Sequence, residues 1–160
     1  MIKYIEGDLF AEIKEVKDKL VVIPHVCNNQ KKFGAGFVVP LAKHFPMAKQ
    51  SYMSKSQLEL GEVIYVKTGN VLICNMIAQE LGGIRPLFYN HLAACLTSVA
   101  NTIKNNDELY EIHAPAFGTN LAGGSWNVIL PLIEDAWIRS GIKNINIYFL
   151  PGTFLPPDLK

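Results

Sequence analysis

The chain has no excess of charge of either sign, no paired cysteines and no hydrophobic run of membrane length. Its 160 residues carry a formal net charge of +1 without a basic stripe. That balance excludes duplex DNA or RNA as the main ligand, because such binding neutralises many phosphates. It equally excludes tight attachment to an anionic membrane. The longest apolar stretches are strand-sized, well short of the roughly 20 residues of a spanning helix. Cys27, Cys74 and Cys95 are odd in number and widely spaced, and read as buried, reduced thiols. His25, His44, His91 and His113 lack metal-ligand spacing, so neither a metal nor another cofactor is expected. Lys3, Glu6, Asp8, Glu12 and Lys14 interrupt the first residues before any secretory segment could form. An intracellular, cytoplasmic monomer is the expectation.

What is present is enough to build a core. Hydrophobic residues make up 49% and charged ones 18%, the balance of one folded domain. Met1 to Glu6 reads as a strand closed by Gly7-Asp8, with a helix from Leu9 to Val16. Leu20 to Val26 is continuously apolar, as in a strand buried on both faces. Phe37 to Phe45 reads as a short helix stopped by Pro46, with a further helical segment over Ala48 to Gln57. Glu62 to Lys67 and Asn70 to Met76 flank Thr68-Gly69 as a hairpin.

Pro86 opens a helix striped by Leu87, Leu92, Leu96, Val99 and Ile103. A strand over Tyr110 to Ala114 precedes a helix over Asn127 to Ile138, with Val128, Leu132 and Ala136 spaced four apart. A last strand follows, from Ile145 to Leu150. Alternating strands and helices predict a three-layer α/β domain with a mostly parallel or mixed sheet.

Two glycine-rich turns stand where strands hand over to helices. The first is Gly34-Ala35-Gly36-Phe37; the second is Gly118-Thr119-Asn120-Leu121-Ala122-Gly123-Gly124. A strand, a glycine loop and a helix start together offer backbone amides to an anion. The second loop lacks the lysine of a triphosphate-binding loop, since Gly124 stands in its place. A diphosphate needs only amides and survives that objection. Both loops could instead be turns and nothing more.

Three polar positions flank these loops. Asn28 and Asn29 end a buried strand, where α/β domains place ligands; they suit ribose hydroxyls or serve the turn itself. Asp8 either accepts from an exocyclic amine or caps the next helix. His25 reads as a hydrogen-bonded core residue or as a general acid or base.

Gly7-Asp8-Leu9, His25 to Asn29 with Gly34 to Phe37, and Gly118 to Trp126 together resemble the macrodomain family, in order and spacing. The resemblance is to its small single-domain branch of phage and bacterial Appr-1''-p processing proteins, ADP-ribose-1''-phosphate phosphatases and terminal ADP-ribose protein glycohydrolases. It implies a three-layer α/β/α fold with a mixed six-stranded sheet over 1–150, an extended tail over 151–160, and a cleft for ADP-ribose. By that resemblance Asp8 holds the adenine amine with Leu9 nearby, and Phe149 and Leu150 border the adenine. Asn28, Gly34, Ala35, Gly36 and Phe37 face the distal ribose. Gly118, Thr119, Asn120, Leu121, Ala122 and Gly123 wrap the diphosphate.

The same resemblance divides the possible chemistries. The glycohydrolases' lysine and aspartate match Asn75 and Ala122 here, which can form no Schiff base and move no proton. The phosphatases' histidine matches His25, the candidate for proton transfer, with Asn28 positioning the ribose. Ester hydrolysis by a water held between the loops needs no protein base. The rival expectation is a catalytically silent reader of ADP-ribosylated protein or nucleic acid ends.

Overall fold

The computed structural model describes residues 2–106 and 108–152. The extended tail expected over 151–160 therefore lies, from residue 153 onward, outside the described residues. Six strands form one sheet: β1 (Ile2–Glu6), β2 (Leu20–Asn28), β3 (Val63–Thr68), β4 (Val71–Gln79), β5 (Tyr110–Pro115) and β6 (Ile145–Phe149). Their order across the sheet is β1-β6-β5-β2-β4-β3. Every neighbouring pair is parallel except β3 with β4. That antiparallel pair is the expected hairpin, and Gly69 supplies its turn at φ 59°, a left-handed value that glycine adopts without strain.

Alternation along the strands sorts the core into two layers. Leu20, Val22, Leu72, Cys74 and Met76 pack against α4 (Tyr89–Lys104) and α5 (Trp126–Ile133). Val21, Ile23, Cys27, Ile73 and Ile77 face the other way. There they meet α1 (Leu9–Ile13), α2 (Val38–His44) and α3 (Pro46–Ser54). Buried on both faces, β2 and β4 can be continuously apolar. The result is the expected three-layer α/β/α architecture with a mixed six-stranded sheet.

Three helices differ from the sequence pattern in detail. Pro46 does end α2, and it also opens α3 at its first position, where a missing amide costs nothing. The helix expected from Pro86 begins at Tyr89, with Leu87 held in a β-bridge to Gln79. In α5 the stripe is displaced by one residue. Ile129, Ile133 and Trp137 are the buried set, whereas Val128 is 42% exposed. The helix widens over Glu134–Ile138 into a π-helical turn, where the Arg139 amide reaches the Glu134 carbonyl at 2.9 Å.

Candidate functional site

In parallel sheets, ligands sit beyond the carboxyl ends of the strands, and here those ends gather every segment singled out above. Gly7 N–H donates to the Phe149 carbonyl at 3.0 Å, which sets Asp8 beside the end of β6. Asp8 caps α1: one carboxylate oxygen accepts from the Phe10 amide at 2.9 Å. Leu9 is buried in the core beneath it, and Leu150 is exposed at the rim.

The first glycine loop is pinned to α1 by aromatic stacking. Phe37 lies 5.5 Å from Phe10, centroid to centroid. It also meets the second loop, since a Cβ on Gly36 would lie 3.4 Å from the Leu121 side chain. In the second loop Thr119 donates its hydroxyl proton to the Ala116 carbonyl at 2.6 Å, and Gly124 N–H closes onto the Gly118 carbonyl at 2.7 Å. Ala122 is buried, and its carbonyl accepts from the Leu87 amide at 3.1 Å. The backbone amides of Gly118 and Thr119 donate to no described residue.

Asn28 ends β2 at an irregularity, because it pairs with Gln79 whereas Cys27 pairs with Ile77. Such a bulge re-aims the side chain after it. The Asn28 amide nitrogen donates to the Lys32 carbonyl at 2.7 Å. Its oxygen accepts from the amides of Gln30 and Lys32 and from the Tyr52 hydroxyl at 2.8 Å. Asn28 thus holds the loop from Asn29 to Lys32, the turn-serving role expected as one of its two readings. Asn29 donates to Glu80, while its buried amide oxygen has no hydrogen-bond partner among the described residues.

Tyr52, from α3, is the support that sequence reasoning missed; nothing marks it apart from its burial. Its hydroxyl also reaches the Asn28 carbonyl at 2.6 Å. Tyr52→Phe leaves these buried acceptors short of a donor and is expected to cost about 1–3 kcal/mol. Chemical denaturation measures it; an unchanged midpoint would remove Tyr52 from the loop's support.

His25 is 1% exposed. Its Nε2 donates to the Asn75 side-chain oxygen, and the Asn75 amide donates in turn to the Ala48 carbonyl at 3.1 Å. Phe33 and Phe37 close over the ring at 6.2 and 5.6 Å. Burial holds its pKa down at about 4, so the imidazole is neutral at pH 7. His25 and Asn75 form a core pair between the sheet and α3, with no solvent-facing nitrogen. Burial pushes all three thiols upward as well.

A hollow of about 330 Å³ lies at the opposite end of the sheet, lined by Phe10, Ile13, Lys14, Lys17, His44 and Asn70 among others. It contains neither glycine loop. No three His, Cys, Asp or Glu side chains among the described residues come together as a metal set. No described helix is long and apolar enough to cross a membrane.

A mixed six-stranded sheet between two helical layers, with two touching glycine loops at its strand ends, defines the class of domain. No family model matches the chain. A Candida albicans ADP-ribose 1''-phosphate phosphatase is 23% identical over 137 residues, spanning 79% of this chain and 87% of that protein. A crystal structure of a Bacteroides thetaiotaomicron protein is 30% identical, with a TM-score of 0.79, over 92% of this chain and 99% of the other. A macrodomain protein from Streptomyces coelicolor is 29% identical, with a TM-score of 0.76, over 93% and 99%. The chain belongs to the macrodomain family.

Proposed function

We propose that this macrodomain binds ADP-ribose, or a derivative of it, in the cleft between the glycine loops. The observation that carries the reading is their convergence: Gly36 and Leu121 face each other across a Cβ-sized gap, beside the capped start of α1. In this arrangement Asp8, Leu9, Phe149 and Leu150 form the adenine end. Gly118, Thr119, Asn120, Leu121, Ala122 and Gly123 enclose the diphosphate, to which the amides of Gly118 and Thr119 are available. Asn28 and Gly34, Ala35, Gly36 and Phe37 form the distal-ribose end.

Charge-assisted hydrogen bonds of roughly 1.5–3 kcal/mol each, less the cost of ordering, place affinity near about −8 kcal/mol, a micromolar constant. Calorimetric titration with ADP-ribose, with AMP and ATP as comparators, is the test. Asp8→Ala is expected to weaken ADP-ribose binding by about 1–3 kcal/mol. An unchanged constant would reject the adenine assignment, and no wild-type binding at millimolar ligand would reject the cleft.

A second reading, removal of the phosphate from ADP-ribose 1''-phosphate, is favoured by the name of the Candida albicans relative. His25 and Asn28 are its candidate residues. As packed, both side chains are committed within the protein, so the chemistry calls for a water held between the loops or an opening of the Phe33–Phe37 wall. Release of inorganic phosphate from that substrate distinguishes an enzyme from a silent reader of ADP-ribosylated protein or nucleic acid.

A further inference from the structure

The segment between β4 and α4 holds a cation that the glycine loops do not account for. Arg85 is one of two arginines in the chain. Its Nε donates to the Leu87 carbonyl at 2.9 Å, and its guanidinium lies 4.1 Å over the Tyr89 ring. The Tyr89 hydroxyl accepts from the Ser125 amide at 2.9 Å, which ties that ring to the start of α5. Stacking and the Nε bond together restrain a side chain that is otherwise rich in rotamers.

The position of Arg85 is as informative as its restraint. Its main chain runs against the second loop, where a Cβ on Gly123 would lie 3.4 Å from Arg85 Cα. The segment before it meets the turn that follows Asn28. The Asn29 amide donates to the Gln79 carbonyl at 3.0 Å, and the Leu81 amide donates to the Gln30 side chain at 2.7 Å. Arg85 therefore belongs to a segment that links the second loop to the turn after Asn28, on the β4 side of β2 and away from Asp8 and β6.

No carboxylate among the described residues pairs with it. Glu80 accepts from Asn29 through one carboxylate oxygen, and the ion pairs present among the described residues involve other residues. A planar guanidinium held at one face and one edge still offers its Nη fork, which matches the geometry of a phosphate.

We infer that Arg85 grips a phosphate carried on the distal ribose, and so makes the cleft discriminate ADP-ribose 1''-phosphate from ADP-ribose. The inference rests on the cleft assignment proposed above. It makes Arg85 a specificity residue that adds affinity only when the terminal phosphate is present.

The test compares wild type, Arg85→Ala and Arg85→Lys by calorimetry, with ADP-ribose and with the non-hydrolysable 1''-phosphonate of ADP-ribose. Arg85→Ala should lose at least about tenfold in affinity for the phosphonate, the lower end for a charged hydrogen-bonded contact. Its affinity for ADP-ribose should stay within about twofold. Arg85→Lys should recover only part of the loss, since an ammonium keeps the charge and loses the fork. Equal losses for both ligands would move Arg85 to the diphosphate and overturn the inference, as would no loss for either. A wild type that binds ADP-ribose but not the phosphonate would overturn it alone. A wild type that binds neither would take the cleft assignment down with it. Thermal melting of each variant separates lost contact from lost fold.

Discussion

Gly124→Ala is expected to lower the stability of this domain by about 3 kcal/mol, at the upper end for overpacking a filled site. The added Cβ would press on the Gly118 carbonyl oxygen and come within 2.5 Å of a Leu87 methyl. A methyl group can rotate away, but the carbonyl is fixed because it already accepts from Gly124 itself. Relief therefore means breaking that bond and spreading the second loop. For a domain of this size the loss corresponds to a fall of about 6–12 °C in melting temperature. Gly34→Ala is the control, since a Cβ there meets nothing within 4 Å, and its change should stay within about 0.5 kcal/mol. Equal melting temperatures for the two variants would show that the second loop is not packed as described.

Acid should unfold the protein through His25 before its carboxylates are fully protonated. In the unfolded chain this imidazole takes up a proton near pH 6.5, whereas burial delays that step to about pH 4 in the folded state. Between those values the unfolded state binds more protons, so stability falls as pH falls. The full gap is worth about 3 kcal/mol; it is absent at pH 7, develops below 6.5 and is complete near 4. His113 shifts in the same direction because it too is buried. Denaturation of wild type and His25→Gln across this range isolates the contribution. The variant should show a visibly flatter decline, and parallel curves would mean that His25 is reached by solvent after all.

What could be read from the residues follows from how local each feature is. The runs in β2 and β4 and the Thr68-Gly69 turn declare themselves within a few positions, so the sheet was largely legible. The α5 stripe was not. Almost every position from Val128 to Ile133 is apolar, so two series spaced four apart compete, and only the sheet beneath selects Ile129, Ile133 and Trp137. The glycine loops, Asp8 and the asparagines were visible as motifs, although the partners that restrain them lie far along the chain. Leu87 fills the space a Cβ on Gly118 would need, Tyr52 braces Asn28, and Asn75 holds His25 from 50 residues away. Arg85 had no motif around it, and only the packing of its segment between the second loop and the turn after Asn28 distinguishes it from a surface arginine.

The placement of β1 next to β6 carries a consequence for how the protein comes into being. Ile2 to Glu6 pair with Ile145 to Phe149, so β1 waits for a strand that is made long after it. β2 and β4 and the turn between β4 and β3 involve nearer neighbours and can settle earlier, when only short stretches of chain need closing. The hydrogen bond from Gly7 to Phe149, which sets Asp8 beside β6, can close only after β6 has been made. A nascent chain released before Phe149 would carry both glycine loops and lack the strand that sets Asp8 in its place.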